Sequence, residues 1–328
     1  MSFTAVLLAG LTAMSGVWSG WKANNGQWER LAPLLSESGF DTVFFLAAYG
    51  PVIDGEGLRE CIDACHPQGI EVHAWVVMWR TNFVSDEERA RLARESRFQA
   101  MDDGGILEDW LNPTDPRNVE LMAKTCLELA ACYPVDGIQL DYIRFRSYLS
   151  GYSRGTGQRF LAENRTRGLI WPDDCLSGGR YYDLFMRWRA ERITAAVRAV
   201  RDSLGRINRV VPLSAAVLPR RGQMLSFGQE WDRWLREDLV DFVVPMNYTP
   251  SDDRLEEWAA HQLELAEGGT LLCGIGFTAG ENQLSPGEMR HQMGLAERLG
   301  FGGYSVFSLS GRFRSEVLGL GEGSREGR

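Results

Sequence analysis

Short apolar runs alternate with longer amphipathic segments along most of the chain. Residues 41–48 are almost entirely apolar, as expected of a strand that is buried on both faces, and residues 70–78 repeat this pattern. The segment before the first of these runs, residues 27–38, carries its leucines at helical spacing and ends at a glycine. The resulting βαβαβ order indicates parallel strands that are joined by right-handed crossovers.

The same alternation continues toward the end of the chain and predicts eight strands with helices between them. The predicted strands are residues 15–21, 41–48, 70–78, 135–141, 210–218, 240–246, 270–277 and 303–307. The predicted helices are residues 27–38, 57–67, 85–100, 115–132, 183–204, 230–238, 254–266 and 286–299. Eight apolar parallel strands that alternate with helices close into a (β/α)8 barrel, or TIM barrel. We therefore predict an α/β fold with one domain, residues 1–312, followed by a polar tail at 313–328 that we expect to be disordered.

Two connections are too long for ordinary loops between a strand and a helix. They follow the third and fourth predicted strands and cover residues 81–113 and 145–182. Both strands end at the same rim of the predicted barrel. We therefore expect the two long connections to form the walls of one cleft.

Asp141 is the leading candidate for a functional residue. It follows the apolar residues of the fourth predicted strand, and Tyr142 and Arg144 come next. Burial of a carboxylate costs several kcal/mol unless it is paired or opens into a solvated pocket, so Asp141 should lie where the strand emerges. Tyr142 offers a ring face and a hydroxyl, and Arg144 offers a planar fork of donors for carboxylates or hydroxyls. The alternative is an Asp that caps the next turn or bridges to Arg144.

Aromatic and polar side chains are predicted at several other strand ends, where a TIM barrel builds its active site. They are Trp18, Trp21, Tyr49, Trp79, Arg80, Asn247, Tyr248 and Phe277. Any one of these aromatics is equally explained by packing. Together they suit a carbohydrate site, because ring faces cover the C–H surface of a sugar while polar groups bind its hydroxyls.

Glycoside hydrolysis also requires a second carboxyl group, about 5 to 9 Å from the first. Glu230 follows the fifth predicted strand and is the candidate for the proton donor, with Trp231 or Trp234 expected to raise its pKa. The alternative is an acid favoured by the helix dipole. Asp252 and Asp253 follow the sixth strand, where helix capping is expected of them.

Three segments carry a resemblance to a known family: VDGIQLDYIR at 135–144, GQEW at 228–231 and VPMNYT at 244–249. Together they resemble the family 10 glycosyl-hydrolase-like proteins, and residues 16–18 and 70–75 match that family's first and third strands. The resemblance runs in order from about residue 14 to about residue 310. It implies a TIM-barrel protein of glycosidase type, with Asp141 at the position where related barrels carry a catalytic carboxylate. Glu230 stands where the family usually carries Asp.

Composition excludes several other classes of protein. The net charge of −9 argues against a nucleic-acid partner. The four histidines form no metal-binding motif, and the six cysteines form no CxxC pair, so we predict no metal and no cofactor. No apolar stretch reaches the ~18 residues that span a membrane. Residues 5–14 resemble the core of a signal peptide, but no Lys or Arg precedes them, which favours a cytoplasmic protein, with export as the alternative.

The sequence thus predicts a glycoside hydrolase that acts on an oligo- or polysaccharide. Asp141 is expected to act as nucleophile or charge stabiliser, kept ionised by Arg144, and Glu230 to protonate the leaving oxygen. The alternative is a carbohydrate-binding barrel without catalysis. The sequence leaves the sugar, the linkage and the oligomeric state open.

Overall fold

The structure, a computed structural model, describes residues 13–279 and 282–320. The apolar segment at 5–14 that resembles a signal peptide lies almost wholly outside the described residues, as do residues 321–328 of the predicted tail.

Strands and helices alternate through the described chain. The strands are β1 (Met14–Ser19), β2 (Thr42–Tyr49), β3 (Val52–Ile53), β4 (Glu71–Val77), β5 (Phe98–Ala100), β6 (Ile106–Leu111), β7 (Gly137–Asp141), β8 (Leu213–Val217), β9 (Phe242–Pro245), β10 (Thr270–Leu271), β11 (Cys273–Gly276), β12 (Thr278–Ala279), β13 (Asn282–Gln283) and β14 (Gly303–Phe307). The helices are α1 (Trp28–Glu37), α2 (Gly55–Cys65), α3 (Asp86–Arg94), α4 (Pro116–Cys132), α5 (Arg154–Asn164), α6 (Tyr182–Leu204), α7 (Arg221–Phe227), α8 (Trp231–Arg236), α9 (Asp252–Ala266), α10 (Pro286–Leu299) and α11 (Gly311–Glu316).

Nine parallel strand segments form a nearly closed barrel in the order β10-β9-β8-β7-β4-β2-β1-β14-β11. The two ends of this path, β10 and β11, are separated in the chain by Leu272 alone. The first pairs with β9 and the second with β14, so together they act as one strand that joins the two sides. The prediction of a (β/α)8 barrel is confirmed.

The barrel has an apolar layer on each face of its strands. In β2, Phe44 and Leu46 belong to the cluster inside the barrel, whereas Val43 and Phe45 belong to the larger cluster between the strands and the helices. This alternation follows from the two-residue period of a strand. Because both faces are buried, the strands read as continuous apolar runs, which is why the sequence located them.

The first long connection differs from its predicted structure. The helix predicted at residues 85–100 ends at Arg94, and Ser96 adopts a left-handed backbone conformation with φ 55°. The chain then forms β5, which pairs with β6 in an antiparallel hairpin. Prediction of helix at residues 98–100 was wrong because the turn at Ser96 carries neither Gly nor Pro, the residues that usually mark such a break.

The two long connections pack against each other. Met101 and Ser150 form an isolated antiparallel bridge, and the Asp102 amide donates to the carbonyl oxygen of Leu149 at 2.9 Å. The second connection carries α5, which the sequence did not predict. Their role as the walls of a substrate cleft stays a prediction.

The predicted disordered tail begins too early. Residues 311–316 form α11, and the fully buried Phe313 packs on Phe40 at 5.6 Å and on Phe277 at 5.7 Å between ring centroids. The Gly, Arg and Glu residues around Phe313 made this segment look like a solvated tail. The prediction of a tail from residue 313 is therefore wrong for residues 313–320.

Candidate functional site

A pocket of about 630 Å³ opens at the carboxyl ends of the barrel strands. Its lining is mainly aromatic and apolar, and one of the described residues that line it carries a carboxyl group. The lining residues are Trp18, Leu46, Tyr49, Trp75, Val77, Asp141, Tyr142, Ala216, Met246, Tyr248, Ala279 and Phe307. The carboxyl group among them belongs to Asp141, the last residue of β7.

Backbone pairing and two hydrogen bonds fix Asp141 in place. It lies opposite Val77 in the ladder between β4 and β7, and its carbonyl oxygen accepts from the Met78 amide at 2.9 Å. Carboxylate Oδ2 accepts from the Trp75 indole Nε1 at 3.1 Å, and Oδ1 accepts from the Tyr142 amide at 2.6 Å. The second of these bonds is the local turn cap that the sequence offered as an alternative. Here the same carboxyl group both caps the turn and lines the pocket.

Burial dominates the electrostatics of Asp141. Loss of hydration raises the pKa of this carboxyl to about 6, although the Tyr142 amide, the Arg144 charge and the Trp75 indole all favour its ionised form. Arg144 favours the ionised form of Asp141, as expected, but burial has the larger effect on its pKa. A carboxyl group with this pKa can hold a proton close to neutral pH, as a general acid must.

The backbone beyond Asp141 is strained. Tyr142 has φ 52°, a left-handed conformation that is uncommon for a residue with a bulky side chain. Strained residues of this kind cluster at functional sites, where the surrounding structure holds them.

Two arginines share one aromatic pair, of which Tyr142 lines the pocket. The Trp110 and Tyr142 rings lie 5.4 Å apart. Arg80 lies with its guanidinium carbon 5.1 Å from the Trp110 ring, and Arg144 lies 5.0 Å from the Tyr142 ring. Arg80 also forms an ion pair with Asp109 at 3.0 Å. Trp110 and Asp109 come from β6, in the first long connection, and the sequence gave no signal for either.

A second aromatic group covers another part of the rim. Phe83 stacks on Trp21 at 5.1 Å and meets the edge of Tyr49 at 4.8 Å. Burial raises the pKa of the Tyr49 hydroxyl, with smaller contributions in the same direction from Asp141 and Asp109. The charges of both carboxyl groups therefore reach Tyr49.

The family model for "glycosyl hydrolase-like 10" matches residues 53–276, which include β4, β7, β8 and β9. The chain belongs to this family. The resemblance inferred from the sequence motifs is confirmed, and a glycosidase-type function is supported. No curated protein sequence matches the chain.

Solved structures of glycosidases share the fold of this glycosyl hydrolase-like 10 protein. The catalytic domain of a β-amylase from Paenibacillus polymyxa is 12% identical with a TM-score of 0.65, over 93% of this chain and 98% of that one. An α-L-fucosidase isoenzyme from Paenibacillus thiaminolyticus is 13% identical with a TM-score of 0.65, over 93% of this chain and 48% of that one. The PgaB glycoside hydrolase domain from Bordetella bronchiseptica is 12% identical with a TM-score of 0.62, over 93% and 97% of the two chains. At these identities the similarity concerns the fold alone.

No group of three or more His, Cys, Asp or Glu side chains within residues 13–279 and 282–320 could hold a metal ion. None of the helices in that part of the chain is long and apolar enough to cross a membrane.

The structure does not bring three of the predicted rim residues into the pocket. Trp79 is fully buried in the apolar cluster between strands and helices, and Asn247 donates to Gln262 Oε1 at 3.1 Å within the protein. Phe277 packs between Phe313 and the Arg312 guanidinium, which lies 4.5 Å from its ring. Each follows or ends a strand, but its side chain points to the outer face of the barrel. The prediction that these three bind substrate is corrected accordingly.

Two aromatic residues of the pocket were missed. Trp75 and Phe307 lie within or at the end of strands and line the pocket. The two-residue period could have found Trp75, because it pairs with Gln139, two residues before Asp141 and on the same face of the sheet.

Glu230 lies in the outer layer of the barrel and does not line the pocket. It precedes α8, where its carboxylate lies 3.6 Å from the Arg233 guanidinium. Burial raises its pKa, as expected, and the charges of Asp232 and Glu191 act in the same direction. These neighbours lie on α8 and α6, so Glu230 is placed apart from Asp141. Asp252, the first residue of α9, pairs with His291 on α10 at 3.0 Å.

Replacement of Glu230 by Gln should therefore leave kcat within about threefold of wild type, the scale of substitutions away from a site. The measurement is kcat on an unactivated oligosaccharide, with circular dichroism as the check on folding. A loss of about 100-fold or more in a folded variant would return Glu230 to the mechanism.

Proposed function

We propose that this protein is a glycoside hydrolase that acts on an oligo- or polysaccharide, with Asp141 as its general acid. The observation that carries the proposal is a buried carboxyl group with a pKa of about 6 in an aromatic pocket at the carboxyl ends of a TIM barrel. Membership of a glycosyl hydrolase-like family supports the same reaction class.

In the first step Asp141 donates its proton to the glycosidic oxygen. The bond between that oxygen and the anomeric carbon breaks, its electron pair stays with the departing oxygen, and the sugar gains oxocarbenium character. Water supplies the hydroxyl of the product, and its second proton returns the catalytic groups to their starting state. Burial suits Asp141 to this role, because its proton is held close to neutral pH and the developing charge is poorly screened.

Asp109 is the proposed second carboxyl group. Its carboxylate pairs with the Arg80 guanidinium at 3.0 Å. Arg80 in turn lies 5.6 Å from the ring of Tyr142, the neighbour of Asp141. The side chain of Asp109 is 41% exposed, so water and substrate can reach it. Either role, nucleophile or base, fits these contacts.

The tyrosines of the pocket are the proposed sugar contacts. The hydroxyls of Tyr49 and Tyr142 make no hydrogen bond within the described residues, and both side chains line the pocket. Trp21 extends the aromatic rim beside Tyr49, with ring centroids 6.1 Å apart. Ring faces and free hydroxyls in one pocket match the alternating C–H and hydroxyl surface of a pyranose.

One observation favours a second function, a carbohydrate-binding barrel without catalysis. Of the described residues that line the pocket, Asp141 alone carries a carboxyl group. A screen of oligo- and polysaccharides with detection of new reducing ends separates the two functions. Release of reducing ends by wild type, and not by Asp141→Asn, supports hydrolysis, whereas tight binding without cleavage supports the binding barrel.

The pH dependence of kcat/KM should report the loss of the proton from Asp141. The active form carries the proton, so activity should be retained below a pH of about 6 and should fall about tenfold per pH unit above it. The measurement is kcat/KM from pH 4.5 to pH 8.5 on an oligosaccharide found in the screen. A profile that is flat across this range would contradict the assignment.

A further inference from the structure

Among the residues that the structure describes, no carboxylate forms an ion pair with the Arg144 guanidinium. It lies against three aromatic rings, at 5.0 Å from Tyr142, 5.5 Å from Trp110 and 5.5 Å from Phe227. Its Nη1 makes two long hydrogen bonds of 3.4 Å, to the carbonyl oxygens of Phe145 and Arg146. Its Nε is buried without a partner, and Nη2, which is not enclosed, makes no hydrogen bond within the described residues.

A purely structural role does not explain these contacts. Arg189, a fully buried arginine nearby, has such a structural role. It donates from both terminal nitrogens, to the carbonyl oxygens of Ser147 at 2.8 Å and Tyr148 at 3.1 Å, and stacks on Phe145 at 4.1 Å. Its Nε, like that of Arg144, is buried without a partner, so the two residues differ in their terminal nitrogens. Arg144 donates hydrogen bonds from Nη1 alone, and these bonds are longer than those of Arg189. Part of the Arg144 side chain also reaches solvent. Arg144 therefore retains donors that can bind a ligand.

The charges around Arg144 do not balance its positive charge. Three charged or titratable groups act on it, namely Asp141, Tyr142 and Arg80. Arg80 is neutralised by its own ion pair with Asp109. When Asp141 carries its proton, as a general acid does, the positive charge of Arg144 has no counter-charge at the pocket rim. This local excess stands out in a protein whose net charge is −9.

We propose that Arg144 binds a carboxylate of the substrate, so that the saccharide contains uronic acid units. The planar guanidinium fork matches a carboxylate in a two-bond geometry, and the surrounding rings shield that pair from water. The chemical class of the substrate follows from the proposed function, but recognition of the carboxylate can be measured without any cleavage.

Binding by the Asp141→Asn variant tests this proposal, because that variant cannot consume the ligand. Calorimetry compares an oligouronate, the same oligosaccharide after reduction of its carboxyl groups, and a sulfated form of the reduced oligosaccharide. The oligouronate should bind at least about 10-fold more tightly than the reduced form, as expected for one charge-assisted hydrogen bond. Equal affinity for both, or tighter binding of the sulfated form, would overturn the proposal.

Variants in the same background locate the effect. Arg144→Gln should abolish the preference for the oligouronate, and Arg144→Lys, which keeps the charge without the fork, should weaken it by about fivefold or more. Arg146→Gln is the matched control, because Arg146 is exposed and should keep the preference. An unchanged preference in folded Arg144→Gln would overturn the assignment to this residue. If Arg144→Gln fails to fold, the comparison between Arg144→Lys and Arg146→Gln decides.

The outcome is separable from that of the proposed function. Preference for oligouronate by the binding assay, together with no cleavage of any saccharide by wild type, would uphold the role of Arg144 and reject hydrolysis. Cleavage of neutral and acidic saccharides with equal kcat/KM would uphold hydrolysis and reject the role of Arg144.

Discussion

Asp141→Asn should leave the barrel folded and lower kcat by about 10³-fold or more on an unactivated oligosaccharide. The substitution keeps the shape of the side chain but removes the proton that the leaving oxygen requires. Interactions that strengthen in the transition state have effects of this size. The backbone hydrogen bond from Met78 to Asp141 and the ladder with β4 do not depend on the side chain, so the strand should stay in register.

Asp253→Asn is the matched control for this prediction. Asp253 is an exposed acid in the first turn of α9 and should show wild-type kcat when replaced. Wild-type turnover by a folded Asp141→Asn variant would remove Asp141 from the mechanism.

The same variant should be more stable than wild type at neutral pH. In the folded protein the pKa of Asp141 is raised from 3.8 to about 6, so the ionised form is disfavoured by about 3 kcal/mol. This cost is absent below a pH of about 4 and fully present above a pH of about 6, so it develops as the pH rises through that window. Denaturation with urea at pH 4 and pH 7.5 measures it: the stability advantage of the variant should appear only at the higher pH.

Asp109→Asn should lower kcat by about 10²-fold or more, since it removes the proposed nucleophile or base. Glu108→Gln is the control, because Glu108 is the preceding residue of β6, points to the opposite face of that strand and is exposed. Full activity of a folded Asp109→Asn variant would leave Asp109 as the ion-pair partner of Arg80 alone.

Azide separates loss of chemistry from displacement of Arg80. On an activated aryl glycoside, azide should restore turnover to Asp109→Asn, because a small anion can attack from the vacated position. The anomeric configuration of the first product that wild type releases from the same substrate reports separately whether hydrolysis retains or inverts that centre. An absence of rescue, together with the same loss in Arg80→Gln, would assign the effect to the ion pair.

The barrel was predictable because its strands are buried on both faces. Strand β14 and the helix α10, with Pro286 at its start and Gly300 at its end, were located at the residues that the structure shows. The hairpin of β5 and β6 could not be found in this way. Its strands are short, and β6 carries two adjacent acids, Glu108 and Asp109, in its middle.

The site was predictable where it follows directly from strand ends and not where it depends on tertiary contacts. Asp141, Tyr142 and Tyr49 were found because they end or follow apolar strands. Asp109 lies far from any barrel strand in sequence, and it is placed beside Arg80 by the pairing of β6 with the residues that follow β4. Glu230 was misplaced because a helix start can lie in the outer layer of a barrel as readily as over its pocket.

The dependence of kcat/KM on the leaving group, compared between wild type and Asp141→Asn, tests the central claim that Asp141 is the general acid. Aryl glycosides whose phenols span a wide range of pKa values supply the series. The proposal predicts that the variant loses about 10³-fold or more on poor leaving groups and far less on the most activated ones, whose oxygen departs without a proton. An equal loss across the whole series would contradict it.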